Sequence, residues 1–218
     1  MTAALARAKR LRYPSSMSQA FEGAQRLPSP KLTLYIRRNF LSAEECAEIC
    51  ALIDARRRPS TIADDGGSDD AFRTSESCDF DPAHLLIATV DQRIADYLGI
   101  HPAHGEPMQG QRYAVGQEFK LHTDYFEPNG ADYHRYCAIS GQRSWTGMIY
   151  LNEPDAGGAT RFKKIDKIVP PETGKLLAWN NRLPDGAVNP MTLHQGMKVR
   201  RGTKYIITKW FRELEWRG

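Results

Sequence analysis

The sequence predicts an α+β protein in which helices come first and a sheet structure follows. Two observations carry that expectation. Apolar residues recur at helical spacing only before residue 100, and from Gln109 onward they alternate with a period of two. Turn signals at Gly116, Pro128–Gly130, Pro154–Gly158, Pro170–Pro171, Pro184–Gly186 and Arg201–Gly202 then cut the second half into short strands. Strands of that length and spacing build a double-stranded β-helix, or jelly roll, with the N-terminal helices packed on one of its sheets. A chain of 218 residues suits one substantial core. A single domain over residues 30–218 is expected, preceded by an N-terminal arm over residues 1–29.

The arm is polar and basic, punctuated by Pro14, Pro28 and Pro30. Leu32–Ile36 reads as a short strand. Ser42-Ala-Glu-Glu45 is a capping box, in which the serine hydroxyl accepts a terminal amide and Glu45 reaches back. Cys46, Ile49, Cys50 and Ile53 follow at i, i+3, i+4 and i+7, one apolar stripe for a core. Arg57–Phe80 contains Asp64-Asp-Gly-Gly-Ser-Asp-Asp70 and few apolar residues, so an exposed, mobile loop is expected there. Such loops often cover active sites. Asp81-Pro82 should open a second helix that ends at Gly99 and buries Leu86, Val90, Ile94 and Tyr97. Strands are expected at 109–115, 117–124, 144–151, 158–163, 174–179 and 203–211.

Composition narrows the function classes. Hydrophobic residues at 41%, charged residues at 26% and a net charge of +4 describe an ordinary globular protein. The longest apolar runs, such as Leu85–Ala88 and Tyr205–Thr208, fall far short of the roughly 20 residues that span a bilayer, so no membrane crossing is expected. Met1–Ala8 is too short and interrupted for a signal-peptide core, and a cytoplasmic location follows as the default. Cys46, Cys50, Cys78 and Cys137 lack CxxC spacing and read as reduced thiols rather than a zinc ribbon. The basic residues are scattered and not interleaved with aromatics, so no nucleic-acid partner is expected.

The chemistry gathers around His122-Thr-Asp124. In a strand, residues i and i+2 leave the same face, so both side chains can point inward together. His194 offers a third ligand. Two imidazoles and one carboxylate make a facial triad with open positions for a cosubstrate and dioxygen. Taken alone, the tripeptide also fits a solvated His–Asp pair. Lys204 begins a strand whose alternation puts Lys204, Ile206, Thr208 and Trp210 on one face. Facing inward, a desolvated lysine needs an anion, such as the distal carboxylate of a dicarboxylate. With Tyr205 and Ile207 inward instead, Lys204 is a surface residue.

Four segments make the pattern specific. They are Arg112-Tyr-Ala-Val-Gly-Gln-Glu-Phe-Lys-Leu-His-Thr-Asp-Tyr-Phe126, Thr146-Gly-Met-Ile-Tyr-Leu-Asn152, Gly157-Gly-Ala-Thr-Arg-Phe162 and His194-Gln-Gly-Met-Lys-Val-Arg-Arg-Gly-Thr-Lys204, with Trp210 beyond. Over most of residues 32–212 the chain thereby resembles the prolyl 4-hydroxylase branch of the 2-oxoglutarate- and iron(II)-dependent dioxygenases.

The resemblance implies catalytic iron ligation by His122, Asp124 and His194, and 2-oxoglutarate binding by Lys204. It implies cosubstrate contacts by the hydroxyls of Tyr113 and Tyr150, and pocket-lining places for Thr146 and Trp210. Trp210 serves equally as core filler. Arg143 resembles a substrate-side arginine and reads equally as a surface arginine at a hairpin turn. Arg73-Thr-Ser75 resembles the segment bordering the family's substrate groove. Fe(II), 2-oxoglutarate and O2 are the implied reactants, with L-ascorbate as a further candidate cofactor. The implied reaction decarboxylates 2-oxoglutarate to succinate and hydroxylates a substrate C–H bond.

A prolyl residue in a peptide or protein is the implied substrate, with segments 57–80 and 126–143 as groove walls. One departure bears on it. Phe119 stands where many peptidyl-proline enzymes of this type have tyrosine, which removes a polar contact near the metal. The same core also suits another amino-acid side chain or a small molecule. Two readings from other classes are a non-catalytic jelly-roll binding module and a zinc hydrolase using the same ligands.

Overall fold

Two-residue alternation in the second half of the chain is satisfied by sheets that bury different side chains on each face. The structure is a computed structural model, which describes residues 20–60 and 72–218. In chain order its strands are β1 (Gln25–Arg26), β2 (Leu34–Arg37), β3 (Arg58–Pro59), β4 (Glu76–Asp79), β5 (Gln109–Tyr113), β6 (Phe119–His122), β7 (Arg143–Tyr150), β8 (Ala156–Gly157), β9 (Thr160–Phe162), β10 (Lys167–Val169), β11 (Leu176–Asn180), β12 (His194–Gly196), β13 (Val199–Arg201) and β14 (Lys204–Arg212). The helices are α1 (Ala43–Arg56), α2 (Leu85–Leu98) and α3 (Ala131–Cys137).

Among the described residues, eight strands form a large sheet in the order β1-β2-β11-β7-β14-β5-β4-β3, and four form a smaller one, β10-β9-β12-β6. A short β13-β8 pair stands apart. Every pairing is antiparallel, and the whole is the expected jelly roll. One cluster, with Leu34, Tyr113, Tyr150, Phe162, Leu177 and Trp179, draws on both sheets. Another packs α1 and α2 on the outer face of the large sheet through Ile49, Ile53, Val90, Ile94, Ile149 and Ile207. The large sheet is therefore buried on both faces.

Local rules hold at α1. Ser42 Oγ accepts from the Glu45 amide at 3.2 Å while Glu45 Oε2 accepts from the Ser42 amide at 2.9 Å, the complete capping box. α2 ends as expected, with Gly99 at φ 66°, a left-handed conformation that costs glycine no Cβ clash. Its start differs. Asp81-Pro82 forms a separate turn, with Asp81 Oδ1 accepting from the Ala83 amide at 2.9 Å, and the helix begins only at Leu85. The buried face is Ile87, Val90, Ile94, Ala95 and Leu98, while Leu86 and Tyr97 lie at its flanks.

The loop expected over 57–80 is corrected at both ends. β3 and β4 pair with each other, and β4 continues the large sheet through β5. Ser75 and Ser77 are buried, yet polar, because Arg73 and Ser60 satisfy their hydroxyls at 2.7–3.1 Å. A strand that buries Ser77, with buried Ser75 just before it, shows no hydrophobic alternation. The acidic run 64–70 lies outside the described residues. Residues 20–29 of the expected arm pack on the fold, where β1 pairs with β2 and Phe21 stacks on Tyr35 at 4.0 Å. No helix among the described residues is long and apolar enough to cross a membrane.

Candidate active site

Pairing of β12 with β6 sets His194 directly opposite His122, so both imidazoles leave one inner face with ring centres 4.3 Å apart. Asp124 lies just past the end of β6, and its Oδ1 stands 3.9 Å from Nε2 of His122. One donor atom from each of the three lies within 4.8 Å of the others, the one such convergence of three His, Cys, Asp or Glu side chains among the described residues.

The protonation pattern suits a metal. Nδ1 of His122 is 2.8 Å from the Lys120 carbonyl, and Nδ1 of His194 is 2.8 Å from the Thr192 carbonyl. A carbonyl only accepts, so each Nδ1 carries the hydrogen and each Nε2 keeps its lone pair. Burial, with His194 adding to it, pushes His122 down to about 3, which leaves the ring in its neutral, ligating form. Burial works to raise the Asp124 carboxyl, but His194, His122, Arg143 and the Thr146 hydroxyl outweigh it, and the net shift is downward. Thr146 Oγ1 donates to Asp124 Oδ2 at 2.7 Å and accepts from Asn181 Nδ2 at 2.9 Å.

Aromatic rings wall the site. Phe119 stacks on His122 with centres 3.5 Å apart and planes at 15°, and the Arg73 guanidinium lies over the Phe119 ring, 5.0 Å from its centre. Trp179 meets His194 edge-on at 4.9 Å.

Lys204 enters the same cavity from β14. Its cavity-facing neighbours are Ile206, Thr208 and Trp210, the face that alternation defined. Lys204 is 1% exposed. Cross-strand pairing of Lys204 with Tyr113, and of Ile206 with Tyr150, explains what surrounds the ammonium. Nζ lies 4.9 Å from the Tyr113 ring centre and 5.4 Å from that of Tyr150, with no carboxylate partner among the described residues. Gly158, at φ 72°, lets the loop pass closely, since a Cβ there would stand 3.2 Å from Lys204 Cδ. Burial alone pushes Lys204 down to about 7. Aromatic faces attract the cation but do not neutralise it, so the pocket holds half of an ion pair.

The remaining expected residues divide. The Tyr113 hydroxyl donates to Gln111 Oε1 at 2.7 Å, and the Tyr150 hydroxyl lies 2.6 Å from Thr160 Oγ1 and 3.0 Å from the Val169 carbonyl. Both tyrosines thus present rings, not free hydroxyls, to Lys204. Trp210 lines the cavity, whereas Thr146 does not and touches Asp124 instead. Arg143 is not a surface residue: its side chain is 17% exposed and forms a two-pronged pair with Glu106 at 2.6 and 2.7 Å. It also lies 4.1 Å over the Trp210 ring and reaches the Asp124 carbonyl at 3.3 Å.

A profile of the 2OG-Fe(II) oxygenase superfamily matches residues 108–212. Prolyl 4-hydroxylase 5 of Arabidopsis thaliana is 32% identical over 214 residues, covering 86% of this chain and 70% of that protein. The chain belongs to the prolyl 4-hydroxylase family. Probable prolyl 4-hydroxylase 3 of the same plant is 33% identical over 209 residues, covering 84% of this chain and 70% of its own. The 2-oxoglutarate complex of a viral collagen prolyl hydroxylase from Paramecium bursaria Chlorella virus-1 superimposes with a TM-score of 0.64 at 26% identity, covering 82% of this chain and 95% of that one. As a prolyl 4-hydroxylase family member, the protein is an Fe(II)- and 2-oxoglutarate-dependent dioxygenase on a jelly-roll core.

Sequence reasoning assigned no role to Asn181, Gln111, Thr160 or Trp179. Thr160 lies inside the Gly157–Phe162 segment that carried the resemblance, so a signal existed for it. Asn181 has none, because its partner Thr146 lies 35 residues away in sequence.

Proposed function

We propose that this protein hydroxylates prolyl residues in a peptide or protein, with His122, Asp124 and His194 holding Fe(II) and Lys204 anchoring the distal carboxylate of 2-oxoglutarate. One observation carries the reading: three ligating side chains and a buried ammonium with no anionic partner among the described residues share a single cavity. The donor set fits the metal, since two Nε2 lone pairs and one carboxylate oxygen remain available. The ammonium fits a dicarboxylate. When bound, iron and 2-oxoglutarate would reduce O2, one oxygen atom entering a substrate C–H bond as hydroxyl and the other entering succinate as CO2 leaves.

The chain's own residues prepare that step. The Lys120 and Thr192 carbonyls fix both imidazole planes. Phe119, Met148, Trp179 and Ile206 give the cavity apolar walls that exclude water. Arg143, braced on Glu106, and Arg73, held by Ser75, Ser77 and Gln109, are the cations this reading assigns to the substrate.

The names of the curated relatives favour a prolyl substrate. Phe119 favours a second reading, in which the same chemistry acts on another amino-acid side chain or a small molecule, because its apolar ring covers His122 where a tyrosine would add a hydroxyl. Succinate release with a panel of proline peptides, with and without Fe(II) and L-ascorbate, separates the two. A +16 Da product on a prolyl residue is expected, and turnover unmoved by every peptide would defeat the prolyl reading. Iron-dependent consumption of 2-oxoglutarate also separates the enzyme from a non-catalytic module or a zinc hydrolase. The proposed compartment is the cytoplasm, which four free thiols support.

A further inference from the structure

Asp124 is the ligand that can grip a metal in two ways. Through one oxygen it occupies one coordination position, and through both it occupies two, which leaves less room for a cosubstrate and dioxygen. Its second oxygen is already engaged: Thr146 Oγ1 stands 2.7 Å from Oδ2. Thr146 is fully buried in the middle of β7, paired with Trp179 on β11 and Trp210 on β14, so the strand's hydrogen bonding makes no demand on its hydroxyl.

The direction of the contact is fixed by chemistry. A carboxylate only accepts, so the Thr146 hydrogen goes to Asp124 and its oxygen is left to accept. Asn181 Nδ2 donates there at 2.9 Å. Asn181 is itself fully buried and pinned by its backbone, whose amide donates to the Ser144 carbonyl at 2.8 Å and whose carbonyl accepts from the Asn189 amide at 2.8 Å. The arrangement is costly, because Asn181 Oδ1 has no partner among the described residues. An apolar pair would pack the same space without that cost. Neither side chain lines the cavity that holds the three ligating side chains and Lys204.

We propose that Thr146 and Asn181 are positioning residues that restrain Asp124 to ligation through one oxygen, reserving Oδ1 for the metal and holding Oδ2 away from it. The inference rests on the metal role proposed above for His122, Asp124 and His194.

Co(II) binding to the metal-free chain tests it, because Co(II) absorbs visible light according to its ligand set. Thr146→Ser keeps the hydroxyl and should match the wild type in Co(II) affinity and spectrum. Thr146→Val should lose roughly 10- to 100-fold in Co(II) affinity, change the visible spectrum and weaken 2-oxoglutarate binding to the Co(II) protein, with circular dichroism unchanged. Asn181→Leu should move the same readouts in the same direction, by about tenfold in affinity. A folded Thr146→Val with wild-type Co(II) affinity and spectrum overturns the proposal. Should Thr146→Val fail to fold, Asn181→Leu decides, and an unchanged spectrum and affinity there overturns it equally. A wild-type chain that binds no Co(II) would instead strike down the metal assignment, so the two failures are told apart.

Discussion

Lys204 and Lys209 share β14, are 1% and 3% exposed, and are buried on opposite faces of one sheet. Lys209 turns to the helix side, where its Nζ lies 2.5 Å from Asp91 of α2. Lys204 turns to the cavity, where it meets two tyrosine rings and no carboxylate among the described residues. A buried cation beside its own carboxylate is a finished contact, whereas one without an anion is prepared for a ligand. The comparison divides one strand between two tasks. Its helix-side residues, with Ile207 and Phe211, pack into the core beneath the helices, and its cavity-side residues line the cavity.

The largest effect that would sharpen this division is loss of a cavity-side ligand. His194→Ala should abolish turnover, read as succinate release, while circular dichroism stays that of the folded chain. Lys204→Ala should weaken 2-oxoglutarate affinity by about 1.5–3 kcal/mol, on the order of 10- to 150-fold, because a charge-assisted contact is lost. Below about pH 7, where Lys204 is charged, its melting temperature should hold or rise, since a desolvated charge is removed. Unchanged 2-oxoglutarate affinity in that variant would break the comparison at its centre. Lys209→Met should do the reverse. It leaves Asp91 without its cation and should lower stability by about 1–3 kcal/mol in denaturant titration, with 2-oxoglutarate affinity unchanged. Asp91 is 27% exposed, so water recovers part of what a fully enclosed partner would lose.

What could be read from the sequence follows the same division between near and far. The capping box at Ser42, the stop at Gly99 and the inward register of Lys204 depend on neighbours within a few residues, and all three stand in the structure. The alternative for Lys204 assumed that one face of β14 meets solvent. Neither does, because α2 covers the other face and supplies Asp91, a partner that no local pattern announces. β4 escaped for a related reason: its inward Ser77 is satisfied by Arg73 and Ser60, so a polar residue occupies a core position. Arg143 likewise could not be resolved without Glu106, 37 residues away. The three candidate ligands, whose side chains converge, could be picked out across 72 positions because their residue types are restrictive even when their spacing is not.

The smallest expected effect is a pH dependence that only the cavity-side lysine should produce. Burial pushes Lys204 down to about 7 from its ordinary 10.5 in the ligand-free protein. Between those values the unfolded chain carries a proton that the folded chain lacks, so ligand-free stability should rise with pH across that window. A bound dicarboxylate restores the charged form. Above about pH 7, then, 2-oxoglutarate must bind together with a proton, and its affinity should fall by at most about tenfold per pH unit. Below pH 7 the lysine is already charged and the dependence should fade, with His122, at about 3, silent throughout. Anaerobic calorimetry with Mn(II) in two buffers of different ionisation heat should show uptake of about one proton per 2-oxoglutarate near pH 8.5 and almost none near pH 6. Lys204→Met should abolish the uptake and Lys209→Met should leave it intact. Absence of uptake in the wild type would mean that the Tyr113 and Tyr150 rings keep the ammonium charged unaided. The cavity face of β14 would then be as self-sufficient as the helix face, and the contrast between the two lysines would be lost.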